Sequence, residues 1–294
     1  IRQRVFSEPD KNSAKQKKST WGNMMPTKMR NMVPAALTSG TYYQPSNAEI
    51  ELANASLLRD KIPPNILSTF FDSSVHLSPP AIVSFVEQLA AVSSLELKGK
   101  DPRIFSLQKL VEVASANMSR VRYVWSRIWR IFGDHVVQAA THPIPSVGHY
   151  AIDSLKQLAF KFLEKDELSS FNFQAEFLRP FETVFTTATP DMKELIVHIM
   201  YSMVMSRSKN IKSGWKTVLH ILYVAGQSND ISLQTNAFGV LESIAVEHQT
   251  IFLANLSDAV RCCLAFGANE INDDISVRAV KFLLIATESL VERQ

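Results

Sequence analysis

Glycine is scarce in this chain: 9 residues in 294, where average usage of roughly 7 % would give about twenty. Few glycines leave few tight turns of positive φ and few loops whose backbone amides could cradle a phosphate. No P-loop, dinucleotide fingerprint, nucleophile elbow or kinase motif occurs, which weighs against a nucleotide-binding α/β enzyme. Cysteine is scarcer still. Cys262 and Cys263 are the only two and are adjacent, so neither a disulfide framework nor a thiolate metal cluster can be built. They read as two small core hydrophobes. The histidines (His76, His135, His142, His149, His198, His220 and His248) never fall four apart, and no HExxH element occurs. Zinc therefore finds no ligand set at short spacing, and no cofactor or metal is expected.

Long apolar runs are also missing. Nothing approaches the ~18 uninterrupted residues that spanning requires, and the opening IRQRVFSEPD lacks the apolar stretch of a signal peptide. The first residue is Ile rather than Met, which reads as a piece of a longer, cytosol-facing protein. The KDEL at Lys165 to Leu168 is internal and cannot act as a C-terminal retention signal. Charge is unevenly spread: residues 1–30 carry +6 of a formal total of +3, leaving the rest at −3. A body of that sign argues against a dedicated nucleic-acid surface. The basic segment 1–46 reads as a solvated linker or insert, with contact to anionic lipid or nucleic acid as the other reading.

What is present from Asn47 onward is helix-length periodicity without strand-like alternation. The pattern predicts helices over 47–59, 63–72, 79–94, 104–118, 121–139, 147–164, 173–187, 191–206, 211–226, 231–247, 251–267 and 273–290. Ser78 before Pro79 and Pro80, and Thr189 before Pro190 and Asp191, supply starts. Asp273 and Asp274 read as a cap for the last helix. Short polar breaks join these segments, and paired helices recur at about 40 residues, the spacing of HEAT and armadillo repeats. The expected fold of 47–294 is all-α, a solenoid of stacked helices.

At 100° per residue the apolar arc of the helix after Arg120 runs from Ile131 through Val124, Ile128, Val121, Phe132, Trp125 and Val136 to Trp129. That is an arc of about 160°, suited to burial between two neighbours. Arg122, Arg127 and Arg130 fall on the opposite side with Ser126, Tyr123 and Asp134. With Arg120 these arginines form a cluster that could grip an acidic partner or phosphate, or could make local ion pairs on a solvated face. His135 lies inside the apolar arc beside Asp134; a satisfied core histidine is favoured over a catalytic pair, because adjacent helical residues point about 100° apart. Met200, Met203 and Met205 read mostly as core. Phe171 and Phe173 read as a lock between one helical pair and the next.

Several stretches carry a resemblance: FSLQKLVEVASANMSRVRYVWSRIW at 105–129, GDH at 133–135, AIDSLKQLAFKFLEKDEL at 151–168, FNFQAEFLRPFE at 171–182 and NIKSGWKTV at 210–218. In that order they resemble the large Arf guanine-nucleotide exchange factors of the brefeldin A-inhibited class, in the region downstream of the catalytic exchange domain. The resemblance implies a non-catalytic regulatory segment whose parent exchanges nucleotide on Arf at Golgi, trans-Golgi or endosomal membranes. It implies partners too: Arf in its GTP form, other small GTPases, other domains of the parent, a second copy of the chain and a membrane surface. Trp125, Trp129, Asp134, His135, Phe181, Gly214 and Trp215 are its motif residues here. The competing reading is a generic solenoid adaptor that binds peptide cargo.

Overall fold

A computed structural model describes residues 45–62, 64–164 and 173–291. Among these residues the regular structure is helical throughout, with no strand. Residues 1–44 of the basic segment 1–46, the KDEL stretch and Phe171 lie outside the described residues. Two compact units divide at Pro63 and Pro64. In the first, α1 (Asn47–Lys61) opens with a capping box: Ser46 Oγ accepts from Glu49 N at 3.3 Å while Ser46 N donates to Glu49 Oε2 at 2.8 Å. It buries no residue.

The second unit holds α2 (Pro64–Asp72), a 3₁₀ turn (Ser73–His76), α3 (Pro79–Leu97), α4 (Phe105–Ala116), α5 (Arg122–Ala140) and α6 (Pro145–Phe162). It continues with α7 (Phe173–Thr187), α8 (Pro190–Arg207), α9 (Trp215–Gly226), α10 (Ile231–Glu247), α11 (Gln249–Ala254), α12 (Leu256–Gly267) and α13 (Asp273–Val291). Successive helices pair as hairpins: α3 with α4, α5 with α6, α9 with α10 and α12 with α13. Helices α3, α5, α7, α9 and α12 form one layer, each packed on the next; α4, α6, α8, α10 and α13 form the other. This is the expected solenoid-like stack.

Proline sets several starts. Pro79, Pro145 and Pro190 occupy the first turns of α3, α6 and α8, where a missing N–H loses nothing. Ser78 and Thr189 make no side-chain cap bond. The last helix is capped by Asn272, whose Oδ1 accepts from Ile275 N at 3.2 Å, rather than by Asp273 or Asp274, which occupy its first turn. The expected helix 251–267 is two helices. Asn255 breaks it by donating its side-chain amide back to Ile251 O at 3.0 Å. α3 alone among the described helices is apolar and long enough, by length and composition, to cross a membrane; its Ile82, Val83, Val86 and Leu89 are buried in the core.

The core is one connected apolar cluster from Phe71 to Phe282. Where α5 crosses α7, Pro180 lies inside a helix and is buried. A Cβ on Gly133 would stand 3.2 Å from its Cγ, so only glycine allows this approach without displacement.

Candidate functional site

Of the seven motif residues only Asp134 is exposed; the other six are buried. Trp125 and Trp129 are 2 % and 4 % exposed. The Trp129 ring stacks on Phe177 with centroids 3.8 Å apart, and Phe162 stacks on Phe177 at 4.0 Å. The blocks at 105–129, 151–168 and 171–182 therefore meet in one aromatic joint. Phe181 is fully buried in the same core. Phe173 packs edge-on against Phe162 at 5.4 Å, as the locking role requires. Met200 and Met203 are buried, whereas Met205 is exposed. Val121, placed in the apolar arc by periodicity, is 71 % exposed. It is the N-cap residue and lies outside the helix.

A second joint links 171–182 with 210–218. Gln174 is completely buried; its Nε2 donates to Asn210 O at 2.9 Å and its Oε1 accepts from Lys212 N at 2.7 Å. Ala175 N donates to Ser213 Oγ at 3.2 Å. These bonds hold 211–214 out of the helix expected over 211–226, which begins only at Trp215. Gly214 is the N-cap residue, so no helix-interior penalty applies to it. A Cβ there would stand 3.0 Å from Leu178 Cδ1 and 3.4 Å from Gln174 Oε1. Trp215 is buried beneath it.

Asp134 faces solvent and His135 the core. Asp134 is exposed, and His135 is buried with Nε2 2.8 Å from Ser93 Oγ and Nδ1 3.2 Å from Ser94 Oγ. The pair is not a catalytic dyad. The partners are two hydroxyls, not the backbone carbonyl that a core histidine could equally have taken. Burial pushes the His135 pKa below its ordinary value, which keeps the ring neutral with one nitrogen donating and the other accepting. His142 joins helix ends instead: its Nδ1 accepts from Ile144 N, and its Nε2 lies 3.1 Å from Leu97 O. Among the described residues no cluster of His, Cys, Asp and Glu could hold a metal ion.

The four arginines do not act as one group. Arg120 is committed to the fold: its Nε donates to Asn117 Oδ1 at 2.5 Å, and its Nη2 donates to the carbonyls of Ser74, Val75 and Leu77 at 2.8–3.1 Å. It ties down the end of the 3₁₀ turn. The Arg122 guanidinium lies over the Phe173 ring at 4.9 Å. Arg127 and Arg130 reach a groove between α5 and α7, about 790 Å³ in volume, whose lining includes Trp129, Gly133, Asp134, Glu176, Arg179 and Pro180. An adjoining groove of about 380 Å³ between α7, α9 and α12 shares Glu176 and Arg179 and adds Lys216, His220, Tyr223 and Arg261. There Glu182 pairs with His220 at 3.4 Å, and Arg261 lies over the Tyr223 ring at 4.8 Å. Gln174, Glu176 and Arg179 lie in the block at 171–182, but nothing in that block singles them out, because their neighbours come from elements far along the chain.

Residues 161–243 match the family described as Mon2/Sec7/BIG1-like, HDS. The chain is 40 % identical over 247 residues to brefeldin A-inhibited guanine nucleotide-exchange protein 1 of Arabidopsis thaliana, covering 82 % of this chain and 15 % of that protein. It is 37 % identical over 277 residues to protein 4 of the same plant, covering 92 % and 16 %. With the human protein 1 it shares 40 % identity over 219 residues, covering 72 % and 12 %. The chain thus spans about one-seventh of the length of these relatives.

Proposed function

This chain corresponds to one region of the brefeldin A-inhibited class of guanine nucleotide-exchange proteins, and from that premise we propose that it is a non-catalytic regulatory segment of an Arf exchange factor. It takes part in autoinhibition and in recruitment of its parent to Golgi or endosomal membranes by a GTP-loaded small GTPase. The observation that carries the reading is identity of 37–40 % sustained over most of the chain to a single stretch of much longer exchange proteins. The helical stack is compatible with it. A solenoid presents an extended surface along one layer, and a partner bound there can bias a neighbouring domain if its affinity differs between two states.

Flotation of the 294-residue chain on liposomes carrying myristoylated Arf tests the reading. Co-flotation with Arf loaded with GTP, and not with GDP, is the expected result. No difference between the two nucleotide states overturns it. In a parallel exchange assay the chain alone leaves the rate of nucleotide release from Arf unchanged; acceleration would reassign it as catalytic.

A further inference from the structure

Charge is not balanced along the two adjoining grooves. Arg127 and Arg130 from α5, Arg179 from α7 and Lys216 from α9 line them. Among the described residues these four side chains make no ion pair or hydrogen bond. Asp258 is already taken by Arg261, whereas Glu182 lies 3.4 Å from the imidazole of His220. That leaves Asp134, Glu176 and Glu182 as the carboxylates in the lining without a lysine or arginine partner. Four cations thus face three carboxylates, a surplus of one positive charge, although residues 31–294 carry a formal charge of −3.

A second observation comes from the floor of the larger groove. Trp129 is 4 % exposed and its indole Nε1–H has no acceptor. The atom lies 4.0 Å from where a Cβ on Gly133 would stand, and both residues line the groove. A buried donor without an acceptor is unfavourable, and a ligand that brings one relieves it.

We propose that the α5–α7 groove, continued past Arg179 to Lys216, is a docking site for an extended acidic peptide segment. Arg127, Arg130 and Arg179 take its carboxylates, for which the planar guanidinium fork is suited, and Trp129 Nε1–H meets a main-chain carbonyl. The cations are distributed over three helices and two grooves rather than gathered at one point. That distribution matches carboxylates repeated along a chain better than a single phosphate. The inference stands apart from the regulatory reading above, because it requires no GTPase.

The test titrates the intact chain into a fluorescein-labelled Glu-Gly-Glu-Gly-Glu-Gly-Glu peptide and follows anisotropy, with Lys in place of Glu as the sign control. Arg130→Glu combined with Arg179→Glu is expected to weaken binding at least about ten-fold, with circular dichroism unchanged. Lys98→Glu combined with Lys100→Glu, the same charge change on an exposed loop, leaves it within about two-fold. In the ¹⁵N-labelled chain the Trp129 indole resonance, assigned through Trp129→Phe, moves on titration. Equal losses in the two double variants would show a net-charge effect only and overturn the proposal. So would an unmoved Trp129 resonance, which would locate the peptide elsewhere, for instance on the basic residues 1–30. Phosphatidylserine vesicles that lose binding in Arg130→Glu/Arg179→Glu, when the peptide does not, would reassign the groove to a lipid surface.

Discussion

Trp129 of α5 and Phe177 of α7 lie nearly parallel, 17° apart with ring centroids at 3.8 Å, and Phe162 of α6 stacks on the same Phe177 ring at 11°. One phenylalanine thereby fastens α7 to both helices of the α5–α6 hairpin. Phe177→Ala is expected to destabilise the chain by about 3–5 kcal/mol in urea unfolding. A double-mutant cycle with Trp129→Leu and Phe177→Leu should return a coupling of about 0.5–1.5 kcal/mol. Additive losses would show that the stack contributes only its buried area.

Two glycines should respond to alanine with opposite signs. At Gly214 the new Cβ presses on Leu178 at 3.0 Å, and Leu178 is itself fully buried, so Gly214→Ala is expected to destabilise by about 1–3 kcal/mol. At Gly239, inside α10, a Cβ would meet nothing within 4 Å. Gly239→Ala should stabilise by about 0.5–1 kcal/mol through helix propensity. Thermal or urea unfolding of the two variants reads both signs; a matching sign would contradict the packing described at one of them.

His135 supplies a pH dependence. Its folded pKa is depressed by burial, so the unfolded chain binds its proton first as pH falls. Stability from this residue is fully present above the ordinary histidine pKa of about 6.5 and is lost below it, until the folded pKa is also passed. Wild type should therefore lose more stability between pH 7.5 and pH 5 than His135→Gln does. Parallel curves for the two proteins would remove His135 from the account.

The two thiols should be chemically silent in the folded chain. Burial raises both pKa values, that of Cys263 to about 12 and that of Cys262 further. Cys262 Sγ also donates to Leu219 O at 3.0 Å. Thiolate is the reactive form, so a disulfide-exchange reagent at pH 8 is expected to label neither cysteine until denaturant is added. Rapid labelling of either under native conditions would show that α12 opens locally.

Much of the fold was legible because a helix buried on one side writes its period into the sequence. Trp125, Ile128, Trp129, Phe132 and Val136 were placed in the core by angle alone, and all five are buried. Legibility ended where a single residue's local bonding decided the outcome. The side-chain amide of Asn255 competes for a backbone carbonyl and splits a helix that hydropathy runs straight through. The site was less legible still. Arg120 looked like a member of the arginine cluster by proximity in sequence, yet its partners are carbonyls more than forty residues earlier. Arg179, remote in sequence, lines the groove that Arg127 and Arg130 reach. Only tertiary packing could sort them.

The unbroken core from Phe71 to Phe282 also bears on how this region can be cut. The family match at 161–243 begins in the last turn of α6 and ends inside α10, so its limits follow similarity rather than autonomous folding. A fragment with those ends would strip Phe162 of its own helix and leave α7 without α5, exposing Phe177 and Phe181 to water. Fragments that respect hairpin boundaries keep each apolar face covered by its mate. Deletion series drawn on the similarity limits would report misfolding as lost function.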